Sequence, residues 1–276
     1  MKKLITGFLL LWLLLGCMIN GVAEECVLRG FDENYGYVYV LFGKYPQSID
    51  GGEFGDTQQS WRWRLHYSKH KERGKNKESG LSLKNIDADP ILWRVLSVDE
   101  ERVYLCSEYI LFASELDPDK KDYETYEGWF KETKLWRTLN KNFINTAFTK
   151  KEIKMLYEDK DYGRVYLLGT EDLNNRKLGF GTNKRRKAWS TEVAIRMYGT
   201  YVYSTDSGCN SPYWTRKTSS HPGAGICIKK DGSVGYYSCM YKEQGVRPVI
   251  NLKPDSYEIS SGSGTKDDPY VLIPAQ

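Results

Sequence analysis

The chain has 276 residues, with 40 Lys and Arg against 36 Asp and Glu, so its formal charge is only +4. That near balance sets aside the strongly basic make-up of a dedicated nucleic-acid binder and the charge excess of an acidic tail. With 40% hydrophobic and 14% aromatic residues the composition is that of a globular chain, not a disordered or fibrous one.

Lys2 and Lys3 open the chain, and Leu4 to Leu15 follow as an almost wholly apolar run with Thr6 as its polar exception. Such a run is short for a membrane span and fits the core of a signal peptide, here assigned to residues 1–23. Two exits stand. Leu14-Leu15-Gly16-Cys17 reads as a lipobox, in which Cys17 is lipidated and becomes the mature N-terminus. Gly21-Val22-Ala23 instead offers small residues for cleavage before Glu24. The first gives an outer-membrane or cell-surface lipoprotein, held to the membrane by its lipid. The second gives a secreted or periplasmic protein. No later apolar run approaches the length of a span.

Residues 24–276 are expected to form a single α+β domain, with a mostly antiparallel, hairpin-rich sheet and two or three packed helices. Tyr37 to Gly43 reads as a strand that ends at Pro46 or runs along an edge there, because proline cannot donate to a ladder. From 51 to 89 glycines and charges replace apolar periodicity, which marks a long polar insertion. Within it Trp61 to Tyr67 interleaves aromatics with arginines, and lysines follow. That mixture could grip an anionic polymer, but a solvated basic loop is the plainer reading.

Ile91, Trp93 and Val95 alternate with Leu92, Arg94 and Leu96, Asp99-Glu100-Glu101 turns, and Val103 to Cys106 returns as the second strand of a hairpin. Residues 117–128 are acidic and Tyr-rich but match no EF-hand spacing. Leu135, Trp136, Leu139 and Phe143 line one face of a helix. Thr149 and Glu152 form a capping box for a second. Val165 to Leu168 is a buried strand, residues 174–187 are a Gly-containing basic loop, and Thr191 to Tyr198 is a short helix capped by Gly199. Tyr213 to Leu252 reads as the sheet around which the chain is organised, with an Asp231-Gly232 hairpin turn at its centre. Residues 260–265 are a flexible turn, and Asp268 to Ile273 adds a last strand.

Beyond Cys17 there are five cysteines, and none is spaced C-x-x-C, which argues against a zinc ribbon or a thioredoxin-like site. Export would permit disulfides, and Cys209, Cys227 and Cys239 are close enough in sequence to bridge. Cys106 reads as a core residue, and one thiol among Cys26, Cys106, Cys209, Cys227 and Cys239 must stay unbridged within a chain.

In order, Phe42-Gly43-Lys44-Tyr45-Pro46-Gln47, Trp93-Arg94-Val95-Leu96, Ser107-Glu108-Tyr109, Leu135 to Asn140, Phe143 to Phe148, Val165 to Leu168 and Gly245-Val246-Arg247-Pro248 form a set. The set resembles a bacterial domain family of unknown function, common in exported and surface proteins, whose members carry FGSYPQ, WRVL, LRTWLN-type, WWLRS and GVRPAL segments. The closing motif is similar to that of the C-type-lectin-like fold, which also underlies the formylglycine-generating enzymes. Tyr213-Trp214-Thr215-Arg216-Lys217 departs from the Trp-Trp-Leu-Arg-Ser of the family, and the insertion is longer. The calcium-binding triplets of sugar-binding C-type lectins are missing, as is a clear counterpart of the oxidase cysteine pair.

His66 and His70 lack the Glu of a zinc protease motif, and His221 offers a Cys–His pair only if the fold brings a thiol to it. Glu124 and Glu127 are the acidic pair that a glycosidase reading would use. The reading that follows is an exported, non-catalytic binding module for a glycan or a surface protein, with Tyr213, Trp214 and Arg216 as the binding residues. It has no cofactor, no metal and no nucleic-acid partner. The alternative is a hydrolase acting on an envelope or extracellular polymer.

Overall fold

The computed structural model describes residues 28–52, 64–65, 77–78, 86–119, 129–205 and 208–276. The targeting segment, Cys26, His66, His70, Glu124, Glu127 and most of the insertion lie outside these residues. The strands in chain order are β1 (Val38–Ile49), β2 (Ile86–Val98), β3 (Val103–Ser107), β4 (Phe112–Ala113), β5 (Val165–Tyr166), β6 (Tyr203–Thr205) and β7 (Gly208–Asn210). They continue with β8 (Tyr213–Thr218), β9 (Ala224–Ile228), β10 (Val234–Ser238), β11 (Gly245–Val246), β12 (Val249–Leu252), β13 (Tyr257–Ser261) and β14 (Tyr270–Pro274).

The fold is α+β, with a seven-stranded sheet ordered β13-β14-β1-β2-β3-β12-β5 and a five-stranded sheet ordered β10-β9-β8-β11-β4. A two-stranded ribbon of β6 and β7 stands apart. Pairing is antiparallel except between β1 and β14 and between β8 and β11. The stretch Tyr213–Leu252 therefore does not make one sheet. It contributes β8 to β11 to the smaller sheet and β12 to the larger, and the chain crosses between them at Arg247-Pro248. Proline suits the crossing, because it has no N–H to leave unpaired where one ladder stops and the next begins.

β1 runs through Pro46 to Ile49. β14 is registered only at Val40 and Leu41, so the half of β1 that holds Pro46 has a strand on one side only, opposite Ala88. Between Leu41 and Lys44 the ladder with β2 slips at Gly43, whose φ is 68°. A Cβ there would lie 2.5 Å from the Phe148 ring and 2.7 Å from the Ala147 carbonyl. Glycine thus supplies both the bulge and the room for Phe148, which stacks on Phe42 at 5.2 Å between centroids. Gln47, fully buried, donates from Nε2 to the Asp89 and Pro90 carbonyls (2.9 and 3.0 Å) and holds the irregular end of β1 to β2.

The helical run from 134 to 147 is α1 (Lys134–Arg137), a π-helical segment (Thr138–Phe143) and α2 (Ile144–Ala147). Its apolar face buries Leu135, Leu139, Phe143 and Ile144, and the Phe143 ring lies 4.9 Å from Tyr45 and 5.9 Å from Phe112. Those two rings belong to different sheets, so one phenylalanine joins them. Asn140 works as a surrogate strand partner for β5. Its Oδ1 accepts from the Arg164 and Val165 amides (both 3.1 Å), and its Nδ2 donates to the Val165 carbonyl (2.8 Å). The Thr149–Glu152 capping box is formed in full and starts α3 (Lys150–Met155).

Three short helices follow: α4 (Thr170–Asn174), α5 (Asn183–Arg186) and α6 (Glu192–Arg196). Gly199, at φ 73°, donates to the Ile195 carbonyl and closes the last of them, as its position implied. The expected basic loop at 174–187 is therefore partly helical. No helix among the described residues is long and apolar enough to cross a membrane. The expected bridge among Cys209, Cys227 and Cys239 is absent. All three and Cys106 are buried, and no disulfide joins any of them. Cys209 packs with Ile195 and Val202 in a small separate cluster, whereas Cys227 and Cys239 belong to the main core. β13 was not anticipated, because Tyr257, Glu258 and Ile259 carry no period-two signal strong enough to separate them from a turn.

Candidate functional site

The predicted binding residues are core residues. Tyr213, Trp214 and Arg216 are 1%, 0% and 5% exposed. Tyr213 Oη donates to the Arg186 carbonyl (2.6 Å), and Trp214 Nε1 donates to the Ser114 carbonyl (2.8 Å). Arg216 donates to the Leu167 carbonyl (2.8 Å) and to Asp172 (2.6 Å), pairs with Glu171, and lies 4.4 Å from the Tyr162 ring centre. None of the three can present its side chain to a ligand, and a binding surface on this segment is corrected to a structural role. Aromatic and arginine side chains side by side on a strand suggest a surface, but their polar ends, Arg216 Nε apart, are hydrogen-bonded inside the protein.

A cavity of about 220 Å³ opens between the β2–β3 hairpin and the segment 184–189, lined by Arg94, Glu108, Tyr109, Lys184, Lys187, Ala188, Trp189 and Asn210. The β2–β3 hairpin builds one wall. Its register sets Arg94 opposite Cys106, so Glu108, two residues further along, is the diagonal neighbour of Arg94. The pair is bidentate: Nε donates to Oε2, and Nη2 to Oε1 at 3.0 Å. Lys266 adds a third bond to Oε1 at 2.9 Å. The Arg94 guanidinium also covers the Tyr37 ring at 4.9 Å.

Burial pushes the Glu108 carboxyl up, but Arg94, Lys266 and Arg247 outweigh it and bring it down to about 2. Glu108 is therefore ionised at any ordinary pH, and it is engaged by two cations. Such a group is a poor general acid and a poor nucleophile. Arg247 stands behind it, fully buried, donating from Nε to the Ser107 carbonyl (2.7 Å). Its guanidinium carbon lies 5.6 Å from the Tyr213 ring centre.

The opposite wall is the segment 184–190. The Ile110 amide donates to the Trp189 carbonyl, and the Thr191 amide to the Ile110 carbonyl, both at 2.9 Å, so this segment runs parallel beside Tyr109 to Leu111. Tyr213 fixes it from beneath through Arg186. The hairpin turn between β9 and β10 fixes the start of α5: Gly232, at φ 84°, lies so near Asn183 that a Cβ would fall 1.8 Å from the Asn183 carbonyl oxygen. Only glycine suits both the turn and that contact. From the insertion, fully buried Arg64 sets its guanidinium 4.5 Å from the Trp189 ring centre and donates to the Ser190 carbonyl (3.2 Å). Glu78 reaches Arg196 at 2.9 Å, a second anchor of the insertion on the same side.

Neither Cys106 nor Cys239 is poised as a nucleophile. Burial pushes the Cys106 thiol up, and Arg247 and Arg94 offset this only in part. Burial and nearby Asp117 push Cys239 up to about 11. Both stay protonated and unreactive near neutral pH. His221 sits in an exposed turn, stacked on Tyr236 at 4.0 Å, with Nδ1 3.1 Å from Ser219 Oγ.

No family model, no curated protein and no solved structure matches this chain.

The sequence places Arg94 on a strand, and Glu108 and Tyr109 within a landmark segment, without joining them. Spacing alone does not join them: counting back from the Asp99 turn sets Arg94 against Ser107, and the bulge between Val95 and Ser97 moves it to Cys106 and so beside Glu108. Lys184, Lys187, Trp189 and Asn210 carry no comparable signal, because the segment that holds the first three is set beside Tyr109 to Leu111 by contacts distant in sequence.

Proposed function

We propose that this chain is an exported, non-catalytic binding module of the surface-protein family it resembles, with a glycan as its ligand in the Arg94–Trp189 cavity. The observation that carries this reading is half-buried Trp189 beside convergent polar groups in one concave site, with buried Tyr109 in its lining. Sugars are held in this way, an apolar ring face on an aromatic and hydroxyls on polar side chains. A protein ligand would need a contact of about 800 Å² on each side, which a recess of this size does not by itself supply. The hydrolase alternative gains no support from the lining residues, whose one carboxylate is locked by Arg94 and Lys266. Export rests on Lys2 to Leu15 and lipidation on Cys17, both read from sequence.

The test is a glycan array probed with the chain from Glu24 to Gln276, beside Trp189→Ala and Trp214→Phe. Binding that disappears in Trp189→Ala, with thermal unfolding unchanged, and survives in Trp214→Phe supports the cavity as the site. Binding indifferent to Trp189→Ala in a folded protein removes the cavity from consideration.

A further inference from the structure

We propose that β10 is a pairing edge, on which a second copy of this chain sets its own β10 antiparallel about a two-fold axis at Tyr236; this stands apart from the cavity. Among the described residues the two main sheets have four edges: β13, β5, β4 and β10. Three are blunted. β4 and β5 are two residues long, and Asn140 occupies the open side of β5. β13 carries Glu258, and its ladder slips between Ile259 and Ser261. Shortness, charge and irregularity are the ordinary protections of an edge against added strands. β10 has none of them. Its sequence, Val234-Gly235-Tyr236-Tyr237-Ser238, is uncharged, free of proline and in unbroken register with β9.

Two hydrogen bonds fix which groups face outward. At the two ends of the β9–β10 ladder the Lys229 amide donates to the Ser233 carbonyl (2.8 Å) and the Cys239 amide to the Gly223 carbonyl (2.9 Å). Bonded and non-bonded pairs alternate along an antiparallel ladder. Gly235 and Tyr237 therefore bond to β9, and the peptide groups of Val234, Tyr236 and Ser238 point away from it. The Ser238 carbonyl accepts from the Tyr241 amide (3.1 Å). The peptide groups of Val234 and Tyr236 meet no partner among the described residues.

Tyr236 is the middle one of the three. A two-fold axis there sets it opposite its own copy, and Val234 opposite Ser238 of the copy, each pair able to exchange both hydrogen bonds. The same three residues thus supply both halves of the contact, which is the mark of an isologous interface. The side chains agree. Val234 and Tyr236 lie on one face of the strand and are 39% and 50% exposed. The His221 ring stacks on Tyr236 at 4.0 Å, so this side chain has little freedom left to lose on pairing. Exposed Met240 and Tyr241 carry the apolar surface past the end of the strand. The axis also brings the β9–β10 turn of each copy, with Lys230 and Asp231, toward Lys242 and Glu243 of the other, so both signs stand on each side. One short strand per chain makes a small interface, and association is expected between about 1 and 100 μM.

The experiment is sedimentation equilibrium of the Glu24–Gln276 chain from about 1 to 300 μM, beside Tyr236→Lys and Tyr236→Glu, each alone and then mixed in equal amounts. Thermal unfolding records that each is folded. The native chain is expected to pass from monomer to dimer across this range. Each variant alone should associate at least about tenfold more weakly, because its charge meets its own copy at the axis. The mixture should regain the dimer. Hydrogen exchange of the native protein needs no variant: the peptide from Val234 to Ser238 should exchange more slowly at the highest concentration than at the lowest. A native chain monomeric throughout, with β10 exchange independent of concentration, overturns the proposal. So does a dimer that a folded Tyr236→Lys leaves intact, or a pair of folded charged variants that fails to associate when mixed.

Discussion

Glu108 owes its charge to the fold. The ladder between β2 and β3 delivers Arg94 to it, and the segment before β14 delivers Lys266. Because its folded value, about 2, lies below the ordinary 4.5, the ionised form favours folding. Its contribution is complete above about 4.5 and is lost as the pH falls toward about 2. Glu108→Gln is expected to cost about 3 kcal/mol near neutral pH, because it leaves Arg94 buried beside a neutral amide. Denaturant unfolding at a series of pH values checks this. The gap between native and variant proteins should close on the acid side, and a gap constant down to the lowest pH would show that Glu108 is not held ionised.

At the scale of elements, the run from 134 to 147 shows how one side chain can replace a strand. Asn140 Oδ1 accepts from two amides at the start of β5 and Nδ2 donates to one carbonyl, on the side away from β12. Asn140→Ala should cost about 2 kcal/mol in equilibrium unfolding, because two backbone amides lose their partner in a half-buried place. Amide exchange at Arg164 and Val165 should quicken selectively, and unaltered exchange there would disprove the role. The helix and the capping box were legible from sequence because their causes lie within a turn or two of chain. The β2–β3 and β9–β10 hairpins were legible for the same reason, each set by a short turn. The division of Tyr213–Leu252 between two sheets was not, because it depends on pairing with β3, β4 and β5 far back in the chain. The site failed for a related reason. Trp214 and Arg216 carry the residue types of a binding surface, while Lys184 and Lys187 fall in the basic loop and Trp189 just beyond it. Burial, which ranks the two groups, is decided by how the sheets face each other.

For the molecule as a whole, the described residues cohere by packing, with no disulfide among them. One hydrophobic cluster extends from Leu28 to Leu272 and takes in both sheets and the helices between them. The cysteines within it contribute as small apolar side chains. Thermal unfolding should therefore be the same with and without reductant. Alkylation under denaturing, non-reducing conditions should label Cys106, Cys209, Cys227 and Cys239 alike, and protection of any two would mean a bridge. The same cohesion ties the order of synthesis to the order of assembly. β1 is among the first strands made, yet one of its neighbours is β14, set parallel to it from the far end of the sequence. Contacts that span so much chain close a large loop and form late. Until residues near 270 are available, β1 has β2 along one side and an unsatisfied backbone edge at Val40 and Leu41 on the other. A chain that emerges from its N-terminus thus stays unfinished, and open to a chaperone or a translocation channel, through most of its own manufacture.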